Sequence, residues 1–519
     1  MQRWRTRRDR AALNALTLRP ISLELLAVVV IFVVAVTAIM TWRLYLIAKG
    51  NPTLQIDAIR TGLTAGAGTG GACALLLAFR RQRSTEIIAK QTALARDREQ
   101  EQQEQAAEAT ERDAVERRIT ELYTKAADQL GSEHAAVRLA GLYALQRLAQ
   151  NTEKQRQSIV NVLCAYLRMP FDPPPEEHPT VVGDEERTRY DRSRQERQVR
   201  LTAQRIVTLN LRRSSDDSNG GDQLTTCWPD IDLDLTDAYL EDFDLVNCQI
   251  RRARFTGARF SGDATFDGTQ FDKRATFDGA QFNQNVTFTR TQFSKNATFT
   301  RTQFRENATF ARTRFDRTAM FEGARFNENA TFPLVHFSGD AIFRRARFGG
   351  DAIFRGARFY EDATFEATRF GKAATFEATH FIKAATFKGT QFGKAATFED
   401  TQFTEDAAFP GAAFNEDAMF DRAHFNEDAM FDRAQFNKDA MFVGAEFKGK
   451  AVFEAAQFSG NIALDEARAL PSSPELEQSW PSDWTTRVAG TGAGEEPEWL
   501  YLTRDGSDEK PGGAPRSRS

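Results

Sequence analysis

Apolar and polar positions alternate over much of this chain with a strictness that dictates one kind of fold. From Phe255 to Phe458, phenylalanine recurs at gaps of five and six residues that alternate without a miss, a period of 11. All but Phe32, Phe79, Phe171 and Phe243 of the 42 phenylalanines belong to the series. Two positions before each stands a small residue: Ala264, Ala275, Ala297 and Ala308 before one class, and Thr269, Ala280, Thr291 and Thr302 before the other. Val286 and Val335 are the exceptions. Positions i−2 and i share a face of a strand. Each unit therefore points one small and one large group inward, with the residue between them outward. A helical coiled coil of the same period fails on geometry: five residues turn a helix by about 500°, which puts alternate phenylalanines roughly 140° apart. Two units make four short sides, so the pattern predicts closed coils with four rings inside. About nine to ten such coils make a rod on the order of 45 Å long. The predicted core stack includes Phe266, Phe271, Phe277, Phe282, Phe288, Phe293, Phe354, Phe359, Phe398 and Phe403.

Just upstream the spacing is a plain five, at Leu235, Leu240, Leu245 and Ile250, with Leu233, Ala238, Phe243 and Cys248 at i−2. The stretch from Asp234 to Leu240 is similar to the A-(D/N)-L-x-x unit of the pentapeptide-repeat family, and the later units to its Phe-centred A-T-F-x-x-A-x-F variant. The resemblance covers about 230–469. It implies a right-handed quadrilateral parallel β-helix, with one extra residue in every second unit that we place at a corner.

The N-terminal third reads differently. Ile21 to Thr41 is a long apolar run bordered by Trp42 and Tyr45, and Thr61 to Phe79 is a second, Gly-rich one. Both approach the length of a membrane-crossing helix. Arg3, Arg5, Arg7, Arg8, Arg10 and Arg19 precede the first, Arg80, Arg81 and Arg83 follow the second, and only Arg43, Lys49 and Arg60 lie between. The positive-inside rule then predicts two spans in a plasma membrane with both termini cytoplasmic. Gly62, Gly66 and Gly70 form a small-residue stripe that fits either packing against the first span or a homodimer.

Residues 1–20 are thus a basic cytoplasmic segment and 21–83 a transmembrane hairpin. Residues 84–169 hold a polar helix and a small helical module; Val137 to Leu145 resembles a HEAT-type repeat. Prolines mark a linker at 170–184, and 185–230 carries an arginine-rich helix expected to cap the rod, since solenoid ends need covering. The β-helix occupies 231–469. A largely disordered tail with an aromatic segment (Trp480, Trp484, Trp499, Leu500, Tyr501) ends the chain at 470–519.

A net charge of −4 gives no general pull toward nucleic acid. Cys73, Cys164, Cys227 and Cys248 have neither disulfide nor metal spacing. No catalytic, cofactor or metal residues emerge, and the chain reads as a non-enzyme. His336, His380 and His424 recur two coils apart, about 10 Å, too far to share a metal. The expected function is that of a bacterial-type, membrane-anchored interaction scaffold for an unnamed protein partner on the cytoplasmic side. The alternative, which the family resemblance supplies, is a DNA mimic that engages a topoisomerase.

Overall fold

A computed structural model describes residues 23–50, 52–175, 183–213, 227–470, 479–482, 484–488 and 499–504. They fall into two compact units divided between Glu116 and Arg117. The basic segment 1–20 lies outside the described residues.

The first unit holds helix α1 (Leu23–Ile47) and most of helix α2 (Pro52–Leu130). Pro52 occupies the first helical position, where its missing N–H costs nothing. Gly62 packs against α1: a Cβ there would sit 2.5 Å from Thr41 Oγ1. Gly66 lines the same groove with Val34, Thr37, Ala38, Thr41, Ile59 and Leu63. A Cβ at Gly70 would meet nothing within 4 Å. The small-residue stripe is therefore used inside the chain at its first positions. The expectation of two membrane spans needs correction: among the described residues only Ala27–Ile47 is long and apolar enough to cross. The run 61–79 is diluted by glycines and threonines and continues without a break into the polar remainder of α2.

The second unit begins with the last turns of α2, followed by α3 (Ala135–Asn151), α4 (Arg156–Arg168) and α5 (Asp184–Leu211). Ser132 does not cap α3 through its own N-cap position; its Oγ accepts the His134 N–H at 3.2 Å instead. The helical module and the arginine-rich helix look like separate pieces in sequence, but their buried residues run into the rod's core as one cluster. Gln157 exchanges two hydrogen bonds with the Asp232 backbone at 2.8 and 2.9 Å, which pins α4 to the first strand. From α5, Gln204 Oε1 accepts the Glu241 N–H at 3.0 Å, and Arg197 Nε reaches the Glu241 carboxylate at 2.7 Å. Backbone groups of the first coil that no preceding coil can pair are thereby satisfied.

The rod is a parallel β-solenoid with four walls. Taking the coil that starts at Ala275, the walls are Ala275–Thr276, Gln281–Phe282, Val286–Thr287 and Gln292–Phe293. Each strand pairs with its counterpart one coil on, as Phe282 with Phe304 and Ala297 with Ala319. The first wall forms an 11-stranded sheet, so the turns number about eleven, more than the phenylalanine series alone implies. The plain-five stretch at the start supplies the difference. Register records its end: Leu240 pairs with Phe260, twenty residues on, and Phe243 with Ala264, twenty-one on, across an irregularity between Glu241 and Phe243. By Phe260 and Phe282 the step is twenty-two.

The corners explain the alternation of five and six. After the first and third walls the chain makes a tight turn, closed for example by Ala280 N–H donating to Phe277 O at 2.9 Å. The third residue of that turn is left-handed. Such residues recur every eleventh position, from Gly257 and Gly268 through Arg290, Arg301 and Arg312 to Ala455 and Glu466. In the plain-five stretch they come every fifth, at Asp237, Asp242 and Asn247. The extra residue of each longer unit lies at the other corner, such as Asn283–Asn285; only the first of these corners keeps a left-handed residue among the described residues, Gly262 with φ of 78°. One added residue thus removes one strained backbone conformation per unit.

Inside, the rings form four columns. Phe354 is fully buried, parallel to Phe332 at 4.7 Å and to Phe376 at 4.9 Å, and edge-on to Phe343 and Phe365 at 5.5 Å each. The column spacing equals the strand spacing of a sheet, about 4.8 Å, so the backbone ladder sets it. Rings from the first and third walls interlock edge to face across the axis, a favoured aromatic geometry. The small slot before the other phenylalanines has a second use. Thr291, Thr302, Thr390 and Thr401 are buried there, each donating its hydroxyl to a phenylalanine carbonyl of the previous coil at 2.7–2.8 Å.

At the far end, two strands fold back. Trp484–Val488 pairs antiparallel with Leu500–Arg504, which pairs with Arg468–Ala469 of the last coil. Trp480 lies against Phe447 and Phe453, at 5.4 and 5.9 Å between ring centroids. The aromatic segment of the tail thus folds back over the last coil. Residues 471–478, 489–498 and 505–519 lie outside the described residues.

Candidate binding faces of the rod

Each wall presents one outward column. The first and third carry mainly Thr, Met and Ile, as in Thr309, Thr331, Ile353, Thr375, Thr397, Met419 and Met441. The second and fourth, on opposite sides, carry Gln, Arg and His. The fourth reads Gln270, Gln292, Arg314, His336, Arg358, His380, Gln402, His424, Glu446 and Arg468, all in direct register. The second stacks Arg325, Arg347 and Arg369 on one another.

Charge is distributed unevenly along these columns. In later coils cations meet carboxylates one coil away: Arg344–Glu366 at 3.2 Å, Lys394–Glu416 at 3.5 Å, Arg422–Asp400 at 2.8 Å, and Arg355–Glu377. Such exposed pairs each contribute at most about 1 kcal/mol. Arg325, Arg347 and Arg369, by contrast, make no ion pair among the described residues. His336 is pushed below its ordinary value of 6.5 by burial and then by Arg358 and Arg314; His380 likewise by burial and then Arg358. Burial raises the carboxyl of Glu446, but hydrogen bonds from Arg468 and His424 outweigh it and leave its pKa lowered.

A family model described as pentapeptide repeats (9 copies) matches residues 245–292, 288–333, 332–380, 387–435 and 398–446. The chain is a pentapeptide-repeat protein. No curated protein and no solved structure matches it.

In this pentapeptide-repeat protein the residues singled out from sequence lie in two places. Phe266, Phe271, Phe277, Phe282, Phe288, Phe293, Phe354, Phe359, Phe398 and Phe403 are buried in the ring columns. Gly62, Gly66 and Gly70 lie on α2 in the other unit. His336 and His380 share the fourth wall with the arginines, and His424 bonds Glu446 at 2.9 Å. No group of three or more His, Cys, Asp or Glu able to hold a metal occurs among the described residues. Sequence reading did not find the left-handed corners, although Gly, Arg or Ala two places after every second phenylalanine was the available signal. It also treated Thr and Ala in the small slot as equivalent, when only Thr ties coils together.

Of the arginine-rich helix, the C-terminal part holds the rod. Arg212 Nη2 meets Asp244 at 2.6 Å, and Arg213 Nη2 donates to Gly268 O at 3.2 Å. Arg200 is buried under the end of α4, donating to the Tyr166 and Met169 carbonyls and lying 4.8 Å over the Phe171 ring. These arginines serve packing, whereas Arg187, Arg189, Arg192 and Arg194 nearer the start of α5 are exposed; the rod walls are the extended candidate surface.

Proposed function

We propose that this protein is a membrane-anchored scaffold that acts by binding a protein partner along its rod, without catalysis, on the cytoplasmic side of the plasma membrane. The observation that carries the reading is the register of the outward columns. Identical or similar side chains repeat at one strand spacing over about eleven turns, a flat and rigid surface suited to an extended contact. The first and third walls, rich in Thr and Met, supply the low-charge area that protein interfaces favour at their centre.

The anchor is α1. Its stretch Ala27–Ile47 is long and apolar enough to cross a bilayer, and the start of α2 packs on it at Thr41. The DNA-mimic alternative would need uniformly negative walls, and the stacked arginines of the second wall oppose it.

The test is crosslinking of the full-length protein in its own membranes, comparing the native chain with a Thr375→Glu, Met419→Glu, Met441→Glu variant. Loss of a specific crosslinked partner with an intact rod supports the scaffold reading. An unchanged crosslink pattern removes the third wall from it. A fluorescent reporter at the C-terminus that lights up only outside the cytoplasm would overturn the placement.

A further inference from the structure

We propose that the groove bounded by Arg312, Arg314, His336, Arg358 and His380 on the fourth wall binds a small oligophosphate anion, two or three linked phosphates long. The groove is open along the rod, holds about 520 Å³, and has Leu334, Gly356 and Ala378 along its corner side. Gly356 and Ala378 are small, which keeps that side low. Arg314 and Arg358 stand two coils apart, about 10 Å, so a ligand that spans them carries more than one anionic group.

The cations have no structural duty. Equivalent positions of the same column are neutral Gln270, Gln292 and Gln402, and the fold is the same there. Arg314, His336, Arg358 and His380 pair directly in register, so none of them gains an opposite charge as its cross-strand neighbour. Further along, the column neutralises itself, because Glu446 takes both His424 and Arg468. In the groove the carboxylate found is Asp316, 3.8 Å from Arg314, while Arg312 and Arg358 make no ion pair among the described residues. A multiply charged anion spans the two arginines and takes charge-assisted hydrogen bonds from the guanidinium groups.

The histidines add a pH dependence. His336 faces Arg314 and Arg358 on adjoining coils and the Tyr360 ring at 6.1 Å; His380 faces Arg358 and Gln402. Their depressed pKa values mean that the empty groove resists protonation. A bound anion favours the charged form, so the histidines' share of the binding takes up protons and grows as pH falls.

The experiment is calorimetric titration of the full-length protein in neutral detergent with tripolyphosphate, at pH 8 and pH 6. Saturable binding is expected, and a His336→Gln, His380→Gln variant should weaken it more at pH 6 than at pH 8, a comparison in which the ligand's own phosphate titration cancels. Arg358→Gln places in the column the residue that already occupies it elsewhere, so the rod folds, and it should weaken binding by about tenfold or more. Arg347→Gln, on the opposite wall, should leave affinity unchanged. Absence of saturable heat, a loss from Arg347→Gln equal to that from Arg358→Gln, or a pH dependence that the double histidine variant leaves unchanged would overturn the proposal. Vesicles of neutral lipid with and without an anionic phospholipid separate the source. Binding to the anionic vesicles that Arg358→Gln abolishes, with no response to tripolyphosphate, assigns the groove to headgroups and rejects the soluble ligand.

Discussion

Residues 367 and 389 occupy the same tight corner in consecutive coils, one as alanine and one as glycine, both left-handed with φ of 54° and 63°. Exchanging them isolates backbone strain from every contact. A Cβ at Gly389 would meet nothing within 4 Å, so Gly389→Ala adds no clash. The left-handed conformation costs a residue with a Cβ about 1–2 kcal/mol. Restricting the unfolded chain returns about 0.4–1 kcal/mol of that. The net is a destabilisation of about 0.5–1 kcal/mol, and Ala367→Gly should stabilise by the same amount. A solenoid opens segment by segment, so a global unfolding midpoint is a poor reporter. Amide hydrogen exchange resolves the coils. The Gly389 N–H donates to Pro410 O at 3.0 Å and the Ala367 N–H to Lys388 O at 2.9 Å, and these bonds report on the two corners. Exchange should speed up about two- to fivefold around 387–390 in Gly389→Ala and slow by a similar factor around 365–368 in Ala367→Gly. The double exchange should restore the average. If both substitutions shift exchange in the same direction, strain at the corner is not what distinguishes them, and the account of the five-six alternation fails with it.

Three further outcomes follow from the core and the columns. Phe354→Ala, which empties a fully buried site in mid-rod, should cost about 3–5 kcal/mol, whereas Phe458→Ala, at a half-buried site in the last coils, should cost under about half as much; denaturant titration followed by exchange localises both. Thr390→Val keeps the volume but loses the hydroxyl that Phe365 O accepts at 2.7 Å, so it should cost about 1 kcal/mol, measured by the same titration; Val335 shows that valine fits this slot. His336 and His380 bind protons less readily folded than unfolded, so their contribution is complete above the ordinary value of 6.5 and declines as pH drops through it. Corrected for the intrinsic pH dependence of exchange, amides around 336–337 and 380–381 should therefore lose more protection between pH 7.5 and 5.5 (about two units) in the native protein than in a His336→Gln, His380→Gln variant, without added phosphate.

Most of the rod was legible because strand alternation is local. A small residue at i−2 and a ring at i fix which side faces inward, and an unbroken period forces each coil to repeat the last. What escaped depends on contacts across coils. Thr291 and Ala280 look alike in a pattern of small residues; only the neighbouring coil's carbonyl separates them. Arg301 at a left-handed corner reads as surface charge, because its cost lies in backbone torsion and not in polarity. The membrane hairpin was overread for a related reason. Glycines at 62, 66 and 70 signal close helix contact, yet the same residues reduce the apolar content that marks a span, so one sequence feature argued for packing and against crossing. The fourth-wall groove shows the same limit at the candidate site. Its arginines and histidines are 22 residues apart in sequence and become one column only when the coil length is known. Once that length is fixed, every outward position acquires two neighbours. A charged position can then be balanced by its neighbour, as Glu446 is by Arg468, or left open along a groove, as Arg358 is between His336 and His380, and only the second arrangement offers an anion a place.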